Sequence, residues 1–201
     1  MPGAPTMRKH ALLAVAACAG LVVPAFAPSP AKKEKVREEV AVIDTNLGRI
    51  AFRFFQVESP KTIHAFKSMV KAGIYDGTLF HRVLPGLMVE AGDPESREGG
   101  PAPEGAIVAL DLENSDLKHR VGTVSMAHPR DDPHSRSEFF ICLQEVAYFD
   151  GRYTIIGEVI SGLKVAEAIS QVPRNTKQAP LYPVRIRRLI LEMQEFLKEV
   201  R

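Results

Sequence analysis

Eight short runs rich in β-branched and aromatic residues, each broken off by glycine, proline, asparagine or aspartate, limit what this chain can fold into. They are VAVIDT at 40–45, RIAFRFF at 49–55, and the segments 79–84, 88–91, 122–127, 139–143, 154–159 and 184–191. Runs of this kind read as strands, and many antiparallel strands must pair or hide every sheet edge. Asn46-Leu47-Gly48 between the first two runs predicts a hairpin. Between the strand runs, two stretches read as helices. Ile63, Phe66, Met69 and Val70 follow Ser59-Pro60, where a capping hydroxyl precedes a proline suited to the first helical position, and Gly73 ends the helix. A second helix is expected at 163–172. The pattern predicts a mostly β fold, a closed eight-stranded antiparallel barrel with two main α-helices.

The ends of the chain read differently. Residues 1–27 carry Arg8 and Lys9 and then the apolar run ALLAVAACAGLVVPAFA, the layout of a targeting segment. At 17 residues, interrupted by Gly20 and Pro24, the run falls short of the roughly 20 apolar residues of a membrane span. Val15-Ala16-Ala17-Cys18 is also similar to the lipobox of bacterial lipoproteins, so Cys18 is a lipidation candidate and the segment is either a signal peptide or a lipoprotein signal. The expected location is outside the cytoplasm, periplasmic or anchored to the membrane through that lipid or an uncleaved signal. Residues 28–39 mix prolines with alternating charge and predict a flexible tether. The domain is expected to span 40–191. Met193, Phe196, Leu197 and Val200 recur at helical spacing, so the tail 192–201 is expected to form a helix docked on the barrel.

Charge excludes one class of function. Without Arg8 and Lys9 the chain holds 24 basic and 24 acidic residues, which leaves no electrostatic footprint for nucleic acid. Cys142, the second cysteine, lies in the apolar run FFICL and reads as a buried strand residue, with no partner for an internal disulfide. His81, His119 and His134 are scattered along the chain and predict no metal site.

Two segments carry the chemistry: FHRVLPGLMVEAGDP at 80–94 and GTVSMAHPRDDPHSRSEFFICL at 122–143, followed by YFDGRYTIIGEV at 148–159. In order and spacing they resemble the cyclophilin family of peptidyl-prolyl isomerases over roughly residues 40–191. The resemblance implies a monomer that binds proline-containing peptides or unfolded proteins and isomerises X-Pro bonds without cofactor or metal. It makes Arg82 the catalytic arginine. Rotation about an amide faces a barrier of about 18–20 kcal/mol set by resonance. A permanently charged guanidinium that hydrogen-bonds to the prolyl nitrogen withdraws the lone pair and stabilises the twisted state.

Phe140, Met88 and Leu87 match the positions that line the proline pocket, with Leu87 in place of the common phenylalanine. Strand alternation sends Phe139 and Phe140 to opposite faces, so Phe140 is the groove residue and Phe139 a core residue. Ala127, His128, Tyr148, Phe149 and Tyr153 complete the implied substrate contacts. His128, Tyr148 and Tyr153 replace the usual asparagine, tryptophan and histidine. Glu90 and Glu138 stand where the family usually has glutamine, and both are expected near Arg82. A carboxylate accepts hydrogen bonds but does not donate them. At an effective dielectric near 20, a charge pair about 4 Å apart is worth about 4 kcal/mol before desolvation. The acids therefore either compete for Arg82, turning the groove into a weak or inactive proline-peptide binding module, or hold its guanidinium in a useful rotamer.

Overall fold

A computed structural model describes residues 32–98, 107–113, 116–129 and 134–200, with the single positions 3, 100, 103, 105, 131 and 132. Cys18 and, apart from position 3, the targeting segment lie outside the described residues. The hairpin forms as expected from β1 (Lys32–Thr45) and β2 (Gly48–Phe54). Thr45 closes its turn: the hydroxyl donates to Gly48 O at 2.7 Å and accepts from Leu47 N at 3.0 Å. Helix α1 (Pro60–Lys71) follows, then β3 (Phe80–Leu84), β4 (Met88–Ala91), β5 (Thr123–Met126), β6 (Phe139–Cys142), β7 (Ile155–Ser161), α2 (Leu163–Ser170) and β8 (Ile186–Val200).

The eight strands form one antiparallel sheet in the order β3-β4-β6-β5-β7-β2-β1-β8. The expected closed barrel needs correction, because no strand ladder joins β3 to β8. They approach at the single bridge Leu79–Arg185, supported by Phe80 N to Val184 O and Ile186 N to Thr78 O, both 2.8 Å. Further along β3 the outer edge is taken by a loop instead: Val83 N donates to Gln178 O at 2.9 Å. That edge is covered, so closure by a full ladder is not required to hide it.

Both ends of the chain depart from expectation. The tether and the helical tail are not separate pieces, since β1 begins at Lys32 and pairs with β8 out to Val200. Val36 faces Phe196 in this ribbon, Lys35 reaches Glu195 at 3.2 Å, and Lys198 pairs with Glu38. Helical spacing in the tail loses here because an extended β1 offers unpaired backbone groups and opposite charges across the ladder.

The core lies between the sheet and α1. Ile63, Phe66 and Met69 are fully buried, and Phe66 meets Phe52, Tyr75 and Phe139 with ring centroids 5.8, 4.9 and 5.9 Å away. Burying aromatics of this size contributes roughly 1.5–3 kcal/mol each. β4, β5 and β6 are buried on both faces, one against this core and the other beneath a groove.

The start of α1 is held by a residue the sequence did not single out. Ser59 does not cap it; its hydroxyl donates to Ile155 O at 2.7 Å. The carboxylate of Glu113, from a distant loop, accepts from Lys61 N at 3.3 Å and Thr62 N at 2.8 Å. Loss of such a cap costs about 0.5–2 kcal/mol. Glu113→Ala is expected to lower unfolding free energy in urea by about 1 kcal/mol, and an unchanged midpoint and slope would overturn this capping role.

Candidate active site

An open cavity of about 1000 Å³ lies on the face of the sheet opposite α1. Its apolar floor is made by Phe140, Met88 and Ala127, all buried, with Leu84, Leu87, Phe149 and Tyr153 packed around them. Phe140 lies edge-on to Phe149 at 5.4 Å and to Tyr153 at 5.2 Å. Phe139, its neighbour on β6, faces the core as alternation requires. His128 stacks on Tyr153 at 4.7 Å, and at the rim Arg152 lies 4.1 Å over the exposed Tyr148 ring. Arg82, Glu90 and Glu138 complete the wall, so the expected catalytic and substrate-contact residues all line this cavity, whereas the lipidation candidate Cys18 lies outside the described residues. Leu112, Pro129 and Arg152 line it as well; Pro129 and Arg152 lie within the motif segments without having been singled out there, and Leu112 comes from a loop outside them.

The polar end is set by a break in strand alternation. In the β3–β4 ladder Phe80 faces Ala91 and Arg82 faces Glu90, so His81 is an extra residue in β3. A bulge of this kind re-aims side chains that alternation would separate. Consecutive His81 and Arg82 thereby both reach Glu90: Arg82 Nη1 lies 3.3 Å from Oε2, and His81 Nε2 lies 3.8 Å from Oε1. Glu138, at the entrance to β6, pairs with His81 at 3.5 Å. The expectation that both acids compete for Arg82 is thus corrected for Glu138, whose partner is the histidine. Arg82 Nε donates to Gln178 Oε1 at 2.8 Å, a second partner that the sequence did not reveal.

Charges in this cluster compensate one another. Burial alone would lower the pKa of His81, but hydrogen bonds and charge from Glu138 and Glu90 outweigh it and raise the value to about 9. The imidazole is therefore charged at neutral pH. Burial of Glu90 would favour its neutral form, yet His81 and Arg82 prevail and hold its carboxyl below the usual range. His81, read from sequence as a scattered histidine, instead joins both acids into a group whose donor atoms lie within 4.8 Å of one another.

Behind the apolar floor lies a second polar chain. His119 is fully buried and stacked on Phe140 at 6.0 Å. Its Nδ1 lies 3.0 Å from Asp150 Oδ1 and its Nε2 3.0 Å from Ser125 Oγ. A neutral ring protonated on Nδ1 satisfies both, donating to the carboxylate and accepting from the hydroxyl. Ser125 is fully buried and does not line the cavity, so this serine–histidine–aspartate chain is a strut under Phe140 rather than a nucleophile. Burial likewise pushes the Cys142 thiol up to about 12, with Asp150 adding to the effect, which leaves it unreactive.

Burial holds the His119 pKa below the ordinary 6.5, although Asp150 acts in the opposite direction. An unfolded chain then binds this proton first as pH falls, so stability is present above pH 6.5 and lost progressively below it. The imidazole carbon resonances of His119 are expected to titrate with a midpoint below 6.5 by NMR; a midpoint at or above that value would overturn the neutral strut.

Known proteins share these features. The family described as cyclophilin type peptidyl-prolyl cis-trans isomerase/CLD matches residues 40–190. A peptidyl-prolyl cis-trans isomerase of Schizosaccharomyces pombe is 35% identical over 146 residues, covering 72% of this chain and 93% of the relative. One from Helicobacter pylori is 34% identical over 151 residues, covering 71% and 90%. Among solved structures, a Cryptosporidium parvum cyclophilin type isomerase crystallised in the presence of the dipeptide Ala-Pro superposes with a TM-score of 0.68 at 28% identity, covering 76% of this chain and 98% of its own. With the family matched from 40 to 190, a span that holds every residue lining the groove, the chain belongs to the cyclophilin-type peptidyl-prolyl cis-trans isomerases.

Proposed function

We propose that this isomerase acts on X-Pro bonds of extracytoplasmic proteins and assists their folding, with Arg82 as its electrostatic catalyst. The observation that carries the catalytic role is the placement of one guanidinium at the wall of a cavity whose floor is Phe140, Met88 and Ala127. The proline ring packs on that floor with Leu87 at its side, and a few polar groups in a mostly apolar pocket fix its orientation. Arg82 donates to the prolyl nitrogen as the peptide bond twists. Its lone pair is then drawn from the carbonyl, and the developing pyramidal nitrogen meets a charge already in position. Export is supported by the sequence of residues 1–27 alone.

Gln178 and Glu90 orient the guanidinium on Nε and Nη1. Among the described residues Nη2 has no acceptor, so it supplies the donor for substrate. Glu138 acts indirectly: it holds His81, and the charged imidazole offsets the two carboxylates that would otherwise pull on Arg82. The 3.3 Å Glu90–Arg82 contact also motivates a second reading, a proline-peptide binding module with little turnover.

Arg82→Ala is expected to lower kcat/KM on a proline test peptide at least about tenfold, within the range for removal of a transition-state donor. A variant as fast as the unaltered protein overturns the catalytic role. Glu90→Gln separates the two readings. With the arginine in service, the change raises kcat/KM modestly and Glu138→Gln alters it less. An unaltered protein without turnover that gains it through Glu90→Gln establishes the binding module.

A further inference from the structure

We infer that His81, Glu90 and Glu138 form a site for a zinc-class divalent ion in the wall of the groove. The donors are one imidazole nitrogen and two carboxylate oxygens within 4.8 Å of one another. Nε2 of His81 lies 3.5 Å from Glu138 Oε2 and 3.8 Å from Glu90 Oε1. Tetrahedral zinc bonds of about 2.0–2.2 Å require donors roughly 3.3–3.6 Å apart, so both histidine–carboxylate spacings are close to that requirement and the two carboxylates, within 4.8 Å of each other, draw together on the ion.

The site is built by the backbone and does not arise from an acidic surface patch. Its ligands come from the bulge in β3, from β4, and from the residue that enters β6: Glu90 is held in both the β3–β4 and β4–β6 ladders, His81 sits between the paired Phe80 and Arg82, and the carbonyl of Glu138 accepts from Ala127 N. Glu90 is only 8% exposed, whereas Glu138 opens towards the groove, which gives an entry path and room for a fourth ligand. Nε2 is the His81 nitrogen that faces both carboxylates, while Nδ1 is buried with no hydrogen-bond partner among the described residues.

Charge and donor type select the occupant. Two carboxylates match a divalent charge, and the proton now on the imidazole leaves to solvent as the ion enters. A nitrogen donor and only three protein ligands suit zinc and its neighbours; calcium takes six to eight oxygens and magnesium keeps an octahedral shell of oxygen and water. Glu90 binds the ion through Oε1 while Oε2 stays on Arg82 Nη1, so the ion and the arginine share one carboxylate. The test reads ion binding alone, so its outcome is distinguishable from that of the catalytic reading.

The purified full chain, stripped with a chelator, is titrated with zinc chloride in a calorimeter and, separately, with magnesium chloride. One zinc ion is expected whose affinity falls at least about tenfold in both His81→Ala and Glu138→Gln, with no magnesium bound in the same range. His134→Ala serves as control, because His134 with Asp111 and Asp132 is the competing surface cluster. Zinc binding of equal strength in the two site variants, weakening in His134→Ala alone, or no zinc bound by the unaltered chain each overturns the site. Should His81→Ala fail to fold, Glu138→Gln decides, since that side chain is partly exposed and lies outside the core.

Discussion

Strand alternation on β6 is the constraint from which core and groove both follow. β6 sits between β4 and β5, and successive side chains leave it on opposite faces. Phe139 enters the aromatic cluster under α1, and Phe140 forms the floor of the cavity. Moving this strand by one residue would exchange the two rings and also carry Glu138 away from His81. The same ladder therefore decides whether the core closes and whether the site assembles.

Support for that floor is polar as well as apolar. His119 stacks behind Phe140 and is held at both nitrogens, so the ring at the floor of the groove is backed by a plane that cannot rotate without breaking two hydrogen bonds. A buried polar chain with every member satisfied specifies one arrangement more strictly than apolar packing does. The floor is held from behind on this side, while at the rim the exposed Tyr148 and Arg152 side chains meet each other, the guanidinium donating to the Tyr148 hydroxyl and lying over its ring.

Much of this was legible in the sequence, for identifiable reasons. Short apolar runs ended by turn residues place β4 at Met88–Ala91, and the helix expected from 163 begins at Leu163, because each such segment packs one or both faces against apolar neighbours. The tail was misread because Met193, Phe196 and Leu197 satisfy helical spacing locally, whereas the unpaired edge of β1 acts through space. Ser59 met the local rule for a cap but turned to Ile155, and the cap came from Glu113 some fifty positions away. The positions of the site residues could be carried over from motif spacing. Their pairing could not, since Gln178 and His81 reach Arg82 and the acids through tertiary contacts.

The bulge at His81 sets how the two acids are divided between cations. In a regular strand His81 and Arg82 would point to opposite faces, and Glu90 and Glu138 would stand near a single cation. An extra residue in β3 brings a second cation to the same side. The acid nearer Arg82 is then shared between two positive groups, and the farther one is held by the histidine. Coulomb attraction in a partly buried wall is strong enough that an uncompensated pair of carboxylates would immobilise a guanidinium. Compensation by His81 leaves Glu90 as an orienting partner, so the carboxylates and the bulged histidine are best understood as one unit whose members lose their meaning separately.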